Sequence, residues 1–392
     1  MAHIPYSRQS VSEADIAAVV AVLRSDFLTQ GTELPRFEDR FAQRHQVAHA
    51  VAVSNATAGL HIACLALGIG PGSRVWTSPN SFLASANCAL YCGAEVDFVD
   101  IDLATRNLSV AALHTKLTLA AAAGRLPDLL IPVDFAGLPC DLREMRTLAD
   151  RYGFKILQDA SHATGASTLG APVGSAWADA SVFSFHAVKI VTTAEGGMVT
   201  TQDARLAERI RLLRSHGMTR DPAQMQAPPD GPWAYEQVAL GMNLRMTELQ
   251  AALGHSQLAR LEAMHDARVA LAERYDRLLA GMPLCRPPRP ADRVSAWHLY
   301  AVQLDAPQTR AAVFAALRAA EIGVNVHYIP IHTQPFYRRL GFKCGDFPNA
   351  EAWYAGALSL PLYPGLRQAE QDRVVACLHA ALEQQQTLES MA

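Results

Sequence analysis

From about residue 48 the chain alternates short apolar runs with longer segments of helical period. AVAVS, residues 50–54, precedes NATAGLHIACLAL, and RVWTS precedes a helix predicted from Ser81 to Tyr91. AEVDFVDID, LLIPVDF, KILQDAS and ASVFSFH read as further strands, several with a helix between them, and GMVTT reads as a return strand. Repeated strand–helix units predict an α/β fold, a mostly parallel mixed sheet with helices on both faces. Such sheets carry their chemistry at the C-terminal ends of the strands, so functional residues are expected just after the apolar runs.

Residues 1–30 read as a lead-in followed by a helix. Ser12 is placed to cap it with Asp15 three residues on, and Ile16, Val19, Val20 and Leu23 recur as an apolar face. A second helix, from Leu34 to His45, carries Phe37 and Phe41 on one side. Residues 220–233, rich in Pro and Gln, predict a long loop, and one long helix is expected from Thr247 to about Leu279. The run MPLCRPPRPADRV breaks the pattern. The expected division is a large domain over 31–282 and a small α+β domain over 283–392, with strands near Leu299 and Val324 and helices near Ala311 and Asp372.

Composition narrows the class. Half of the 392 residues are hydrophobic and the net charge is −3, which excludes a disordered chain and gives no electrostatic footprint for nucleic acid. No uncharged apolar run is long enough to span a membrane, and the N-terminus lacks a signal-type apolar segment. Seven scattered cysteines without a CxxC pair predict no metal site and a reducing, cytoplasmic setting. Of 34 basic residues only Lys116, Lys155, Lys189 and Lys343 are lysine. A lysine kept in an apolar setting by such a chain invites a task that arginine cannot perform.

Lys189 is that lysine. It follows the strand-like ASVFSFH and is flanked by Val188, Ile190 and Val191. Desolvation lowers a lysine's pKa and frees a nucleophilic amine that condenses with an aldehyde; arginine stays protonated. Ala56 and Thr57 open the helix after AVAVS, where free N–H groups and the helix dipole bind phosphate. Asp159 ends KILQD and is placed to pair with a protonated ring nitrogen, with His162 beside it for a ring hydroxyl. Phe82 follows RVWTS and offers a flat face. Each residue alone has an ordinary structural explanation: a surface lysine, a helix cap, a capping aspartate, a core phenylalanine. Together they specify an aldehyde, a phosphate, a ring nitrogen and a planar ring, which is pyridoxal 5′-phosphate.

VSNATAGLH, QDASHATGA, SVFSFHAVKIVTTAEGGMVTT, RSHGM, MNLRMTELQAALGHSQL, VHYIPIH and LSLPLYPGL resemble the DegT/DnrJ/EryC1/StrS aminotransferases, of the aspartate-aminotransferase fold. The resemblance implies Lys189 as the cofactor-linked amine and proton carrier, and Asp159 as partner of the ring nitrogen. It implies Ala56, Thr57 and Ser184 on the phosphate, and Asn243 reaching the cofactor of a neighbouring subunit in a homodimer with shared sites. Tyr6, Asp26, Phe27, Leu28 and Thr29, together with Tyr328, Ile329, Pro330 and Ile331, match segments that contact the sugar, as do Ala56, Ser184 and Asn243. The implied reaction moves the amino group of L-glutamate to C4 of a UDP-linked 4-keto-6-deoxy-N-acetyl sugar. Alternatives within the family act on GDP-4-keto-6-deoxymannose or on a UDP-pentose, and related dehydratases replace the lysine with histidine. Arg245 is a candidate for the donor carboxylate. Leu244 and Ile190 depart from the family's usual residues without removing a functional group.

Overall fold

The computed structural model describes residues 3–391. Seven strands form the central sheet: β1 His49–Val53, β2 Arg74–Thr77, β3 Glu95–Phe98, β4 Leu129–Ile131, β5 Lys155–Asp159, β6 Ala180–Ser184 and β7 Gly197–Thr201. Their order is β1-β7-β6-β5-β4-β2-β3. Neighbours pair parallel except at β7, which runs against both β1 and β6. The apolar runs are buried on both faces, as a sheet clad by helices requires. One side packs on α3 (Ala56–Ala66), α4 (Ala84–Tyr91) and α7 (Ala204–Arg214); Leu60, Cys64, Cys88 and Ile210 meet Val51, Val182 and Leu129 there. On the other side lie α5 (Val110–Ala122) and α6 (Leu142–Tyr152), whose Leu113, Leu117, Met145 and Leu148 pack with Trp76, Leu130 and Ile156.

The N-terminal helix forms as α1, Glu13–Leu23, with Ser12 and Asp15 in a reciprocal capping box. Its predicted apolar face is not what docks, however. Ile16 and Leu23 are exposed, and the buried residues are Asp15 and Val22. Asp15 accepts hydrogen bonds from Ser256 Oγ (2.6 Å), Gln257 Nε2 (2.8 Å) and Arg260 Nη2 (2.6 Å), so a charged knot fixes α1 to the body. The second helix is α2, Glu33–His45, with Phe37 and Phe41 fully buried.

The single helix expected over 247–279 is two: α8, Glu248–Leu258, and α9, Leu261–Leu278, broken where Arg260 leaves helical geometry. Arg260 is the residue that reaches Asp15 and Ser10, which ties the break to the docking of α1. The helix expected from Ser81 starts instead at Ala84.

In the C-terminal part, β8 (Leu284–Cys285), β9 (Tyr300–Leu304) and β10 (Ala357–Leu360) form an antiparallel sheet in the order β8-β9-β10. It is covered by α10 (Arg310–Ala319) and by the helix beginning at Gln368. No strand forms at Val324; that segment makes only isolated bridges, Ile4 with Ile322 and Asn325 with Ser359. Leu261 and Met264 at the start of α9 belong to the large core, whereas Leu271, Ala272 and Tyr275 belong to the small one, as does Ile4. The Pro/Gln-rich loop is closed at its base by Met218 and Thr219 pairing with Gln237 and Glu236.

Candidate active site

The residues that follow β1, β2, β5 and β6 converge on a cleft of about 890 Å³ between the sheet edge and the C-terminal part. Ala56, Thr57, Phe82, Asp159, His162, Ser184 and Lys189 line it from the large domain. Tyr6, His298, Asn325, His327, Tyr328 and Ile329 face them.

Lys189 lies past the end of β6, open to the cleft and surrounded by protein on its other sides. Desolvation brings its amine down to about 8, with the charge of Asp159 opposing the shift. Its Nζ is 3.5 Å from His298 Nε2. Asp159 is 4% exposed; Ser85 Oγ donates to one carboxylate oxygen at 2.6 Å and the Ser161 N–H to the other at 3.1 Å.

Three imidazoles stand around the amine. The Ala136 N–H donates to His162 Nδ1 at 3.3 Å, which leaves the proton on Nε2 to donate to Tyr328 Oη at 3.1 Å. His327 contacts Ser359 Oγ through Nδ1 at 2.8 Å. Burial, followed by the positive Lys189, pushes His162 and His298 well below the usual histidine range and His327 to about 3. All three are neutral at physiological pH.

Asn55 caps α3 by accepting the Ala58 N–H at 2.8 Å. Among the described residues nothing in the chain accepts from the N–H groups of Ala56 and Thr57, so they form a cradle for an anion. Its back wall is Gly197: a Cβ there would lie 2.8 Å from Ala56 N and 2.8 Å from Asn55 C. Only glycine lets the first residue of β7 pass so close to the head of α3.

Ile331 and Pro330 lie away from the cleft lining, while Asn243, expected to serve a neighbouring subunit, and residues 26–29 lie outside this chain's cleft. Ile331 is fully buried, packed with Ala86, Phe98 and Tyr337, because its N–H is pinned to Pro79 O at 2.9 Å; its side chain is core. Pro330 is buried beside it, outside the cleft lining. Asn243 is exposed and bridges Ser215, away from this chain's cleft. The stretch 26–29 is exposed and lies outside the lining of this cleft, with Phe27 63% exposed. Sequence reasoning missed His298, Asn325 and Ser85. His298 left one trace, an imidazole in the mostly apolar AWHLYAV, where a satisfied core histidine is the ordinary explanation.

Residues 9–379 match the model of the DegT/DnrJ/EryC1/StrS aminotransferase family. The chain belongs to this family. The spore coat polysaccharide biosynthesis protein SpsC of Bacillus subtilis is 39% identical over 378 residues, which cover 95% of each chain. Helicobacter pylori PseC, described as an aminotransferase of pseudaminic acid biosynthesis, superposes with a TM-score of 0.90 at 30% identity, over 98% of this chain and all of that one. The putative sugar aminotransferase Spr1654 of Streptococcus pneumoniae, solved with pyridoxamine phosphate, gives 0.90 at 30% identity over 97% and 99%. The protein is accordingly a pyridoxal-phosphate-dependent sugar aminotransferase. Its site fits that cofactor on independent grounds: a desolvated amine, a buried carboxylate, an unclaimed pair of N–H groups at a helix start, and an aromatic ring, Phe82, 59% exposed at the cleft.

Proposed function

We propose that this aminotransferase moves the amino group of L-glutamate to C4 of a UDP-linked 4-keto-6-deoxy-N-acetyl sugar, giving a UDP-4-amino-4,6-dideoxy sugar, a precursor of pseudaminic acid. The observation that carries this reading is the full-length likeness to the pseudaminic acid enzyme, joined to a cleft whose far wall presents Tyr6, Tyr328 and Ile329 to a substrate.

Pyridoxal phosphate, when bound, supplies an aldehyde for amines and a ring that withdraws electrons from the reacting carbon. Lys189 would hold it, and its free Nζ would carry away and pass on the proton lost by the donor's α-carbon and, in the second half, carry in the proton gained by C4 of the sugar. General acid–base work of this kind contributes typically about 10²–10⁴-fold. Asp159, its oxygens fixed by Ser85 and Ser161, would keep the ring nitrogen protonated. The Ala56 and Thr57 N–H groups and Ser184 Oγ would bind the phosphate, His162 would meet the ring hydroxyl and Phe82 would offer its face to the ring.

Asn243 and residues 26–29 lie on the surface, outside their own cleft, and in this reading they complete the cleft of a second subunit in a homodimer. No helix among the described residues is long and apolar enough to cross a membrane, in keeping with a cytoplasmic enzyme. The 39% likeness to a spore-coat polysaccharide protein favours, as second reading, another nucleotide-sugar 4-aminotransferase, of the GDP-perosamine or UDP-4-amino-arabinose type. A dehydratase is disfavoured because lysine occupies position 189. Incubation with glutamate and each of the UDP- and GDP-4-keto sugars, with mass analysis of the products, decides. Amination confined to the UDP-N-acetyl sugar supports the first reading; amination of a GDP-sugar or UDP-pentose alone replaces it with the second.

A further inference from the structure

His298 has no part in the roles above, yet its Nε2 lies within hydrogen-bond distance of the reactive amine, and its backbone is held from two sides. Its N–H donates to Ala136 O at 3.0 Å. Arg268, 1% exposed and facing no carboxylate, donates from Nη1 to the carbonyls of Trp297 (3.1 Å), His298 (3.4 Å) and Leu362 (3.1 Å). The ring is 3% exposed, its centroid 4.5 Å from that of His162. Nε2 is 3.5 Å from Lys189 Nζ, while Nδ1 is buried and has no hydrogen-bond partner.

That asymmetry selects a tautomer. Burial together with the charges of Lys189 and Arg268 keeps the imidazole neutral, so it carries one proton. With the proton on Nδ1, Nε2 would accept from a charged Lys189, but a buried N–H would be orphaned. With the proton on Nε2, the unmatched atom is only a lone pair. Orphaned buried N–H groups are the rarer and costlier of the two. The other titratable groups facing the pair are Asp159, His162, His327 and Tyr328 around the amine, and Tyr6, His186 and Glu195 along the cleft. Among these, the Asp159 charge favours the ammonium form of Lys189 and works against the bias set by His298.

We propose that His298 is a positioning residue for Lys189: its neutral imidazole, protonated at Nε2, donates to the amine's lone pair and so favours the uncharged, proton-accepting form of the lysine. When Nζ takes up a proton the bond is lost, because His298 accepts from the ammonium only by moving its own proton to the unmatched Nδ1. The ammonium is thereby primed to give its proton back. Within each half-reaction the same contact thus assists the lysine first as base and then, after proton uptake, as acid. This rests on Lys189 being the cofactor-linked amine, which borohydride fixation of the cofactor and mapping of the labelled peptide test separately.

The test is made on cofactor-stripped enzyme. Competitive acetylation across pH 6–11, read by peptide mass spectrometry, gives the ionisation midpoint of Lys189; exposed Lys343 serves as internal control, and only four lysines need resolving. The parent midpoint is expected near 8. His298→Phe keeps the ring volume and the dryness, which alone would lower the midpoint, yet it is expected to raise it by about one pH unit, tenfold in the ionisation constant. His298→Gln, which restores an N–H near Nε2, is expected to return it to within about 0.3 unit. An unchanged midpoint in His298→Phe, or equal shifts in both variants, overturns the proposal. Nitrogen-15 histidine spectra of the parent need no variant: an Nε2-protonated His298 supports the assignment and an Nδ1-protonated one overturns it.

Discussion

Lys189 and Asp159 stand in one cleft, and the proposed reaction makes opposite electrostatic demands on them, an amine that must shed its charge and a carboxylate that must keep it. Because burial lowers the amine to about 8, catalysis that needs the free base rises as pH climbs through that value and falls about tenfold per unit below it; the pH dependence of single-turnover rates checks this. Lys189→Arg is expected to lose transamination and to retain no borohydride-fixed cofactor, since a guanidinium stays protonated. Asp159→Asn is expected to bind cofactor by absorbance but to turn over roughly 10- to 150-fold more slowly, the loss of one charge-assisted hydrogen bond of about 1.5–3 kcal/mol. The place of these two residues was legible in the sequence because Asp159 closes one apolar run and Lys189 follows shortly after another, and chain order alone puts them at the sheet edge. His298 was not: it arrives from the C-terminal part, across 109 positions of sequence from Lys189. Its task depends on an unpaired nitrogen that only the fold reveals.

The strands show how far pattern reading carries and where it stops. Every run proposed for the central sheet is a strand, and β7 does return against its neighbours. The helix over 247–279 and the face of α1 were misjudged for one shared reason. Arg260 and Asp15 look like surface charges in sequence, but they pair at 2.6 Å with Asp15 fully buried, and that long-range contact coincides with the break in one helix and turns the other. The contact of β7 with the head of α3 yields a sharper prediction. Gly197→Ala sets a methyl group 2.8 Å from Ala56 N. The cradle must shift to admit it, so cofactor affinity is expected to fall at least about tenfold, one hydrogen bond's worth, in an absorbance titration with the sheet intact by circular dichroism.

For the molecule as a whole, the residues that a single chain leaves outside its cleft matter as much as those inside. Ile16, Leu23, Phe27 and Leu28 are exposed apolar side chains in and just after α1, at the same end as the stretch expected to reach the sugar. If subunits complete each other, Lys189→Ala is dead alone and Asn243→Ala binds cofactor weakly. Mixed and re-equilibrated, the two variants are expected to regain activity, because one of the two sites then holds both wild-type residues. No recovery in a verified hybrid dimer would mean that Asn243 serves its own chain. The motif resemblance already assigned Asn243 to a neighbouring subunit's site, and its position outside its own cleft is compatible with that assignment.

One helix, α9, begins in the large core with Leu261 and Met264 and ends in the small one with Leu271 and Tyr275. The two halves of the enzyme therefore share a spine that neither can lose without the other. Heating should melt them together, as one calorimetric peak whose van't Hoff and measured enthalpies agree, where a flexible linker would allow two.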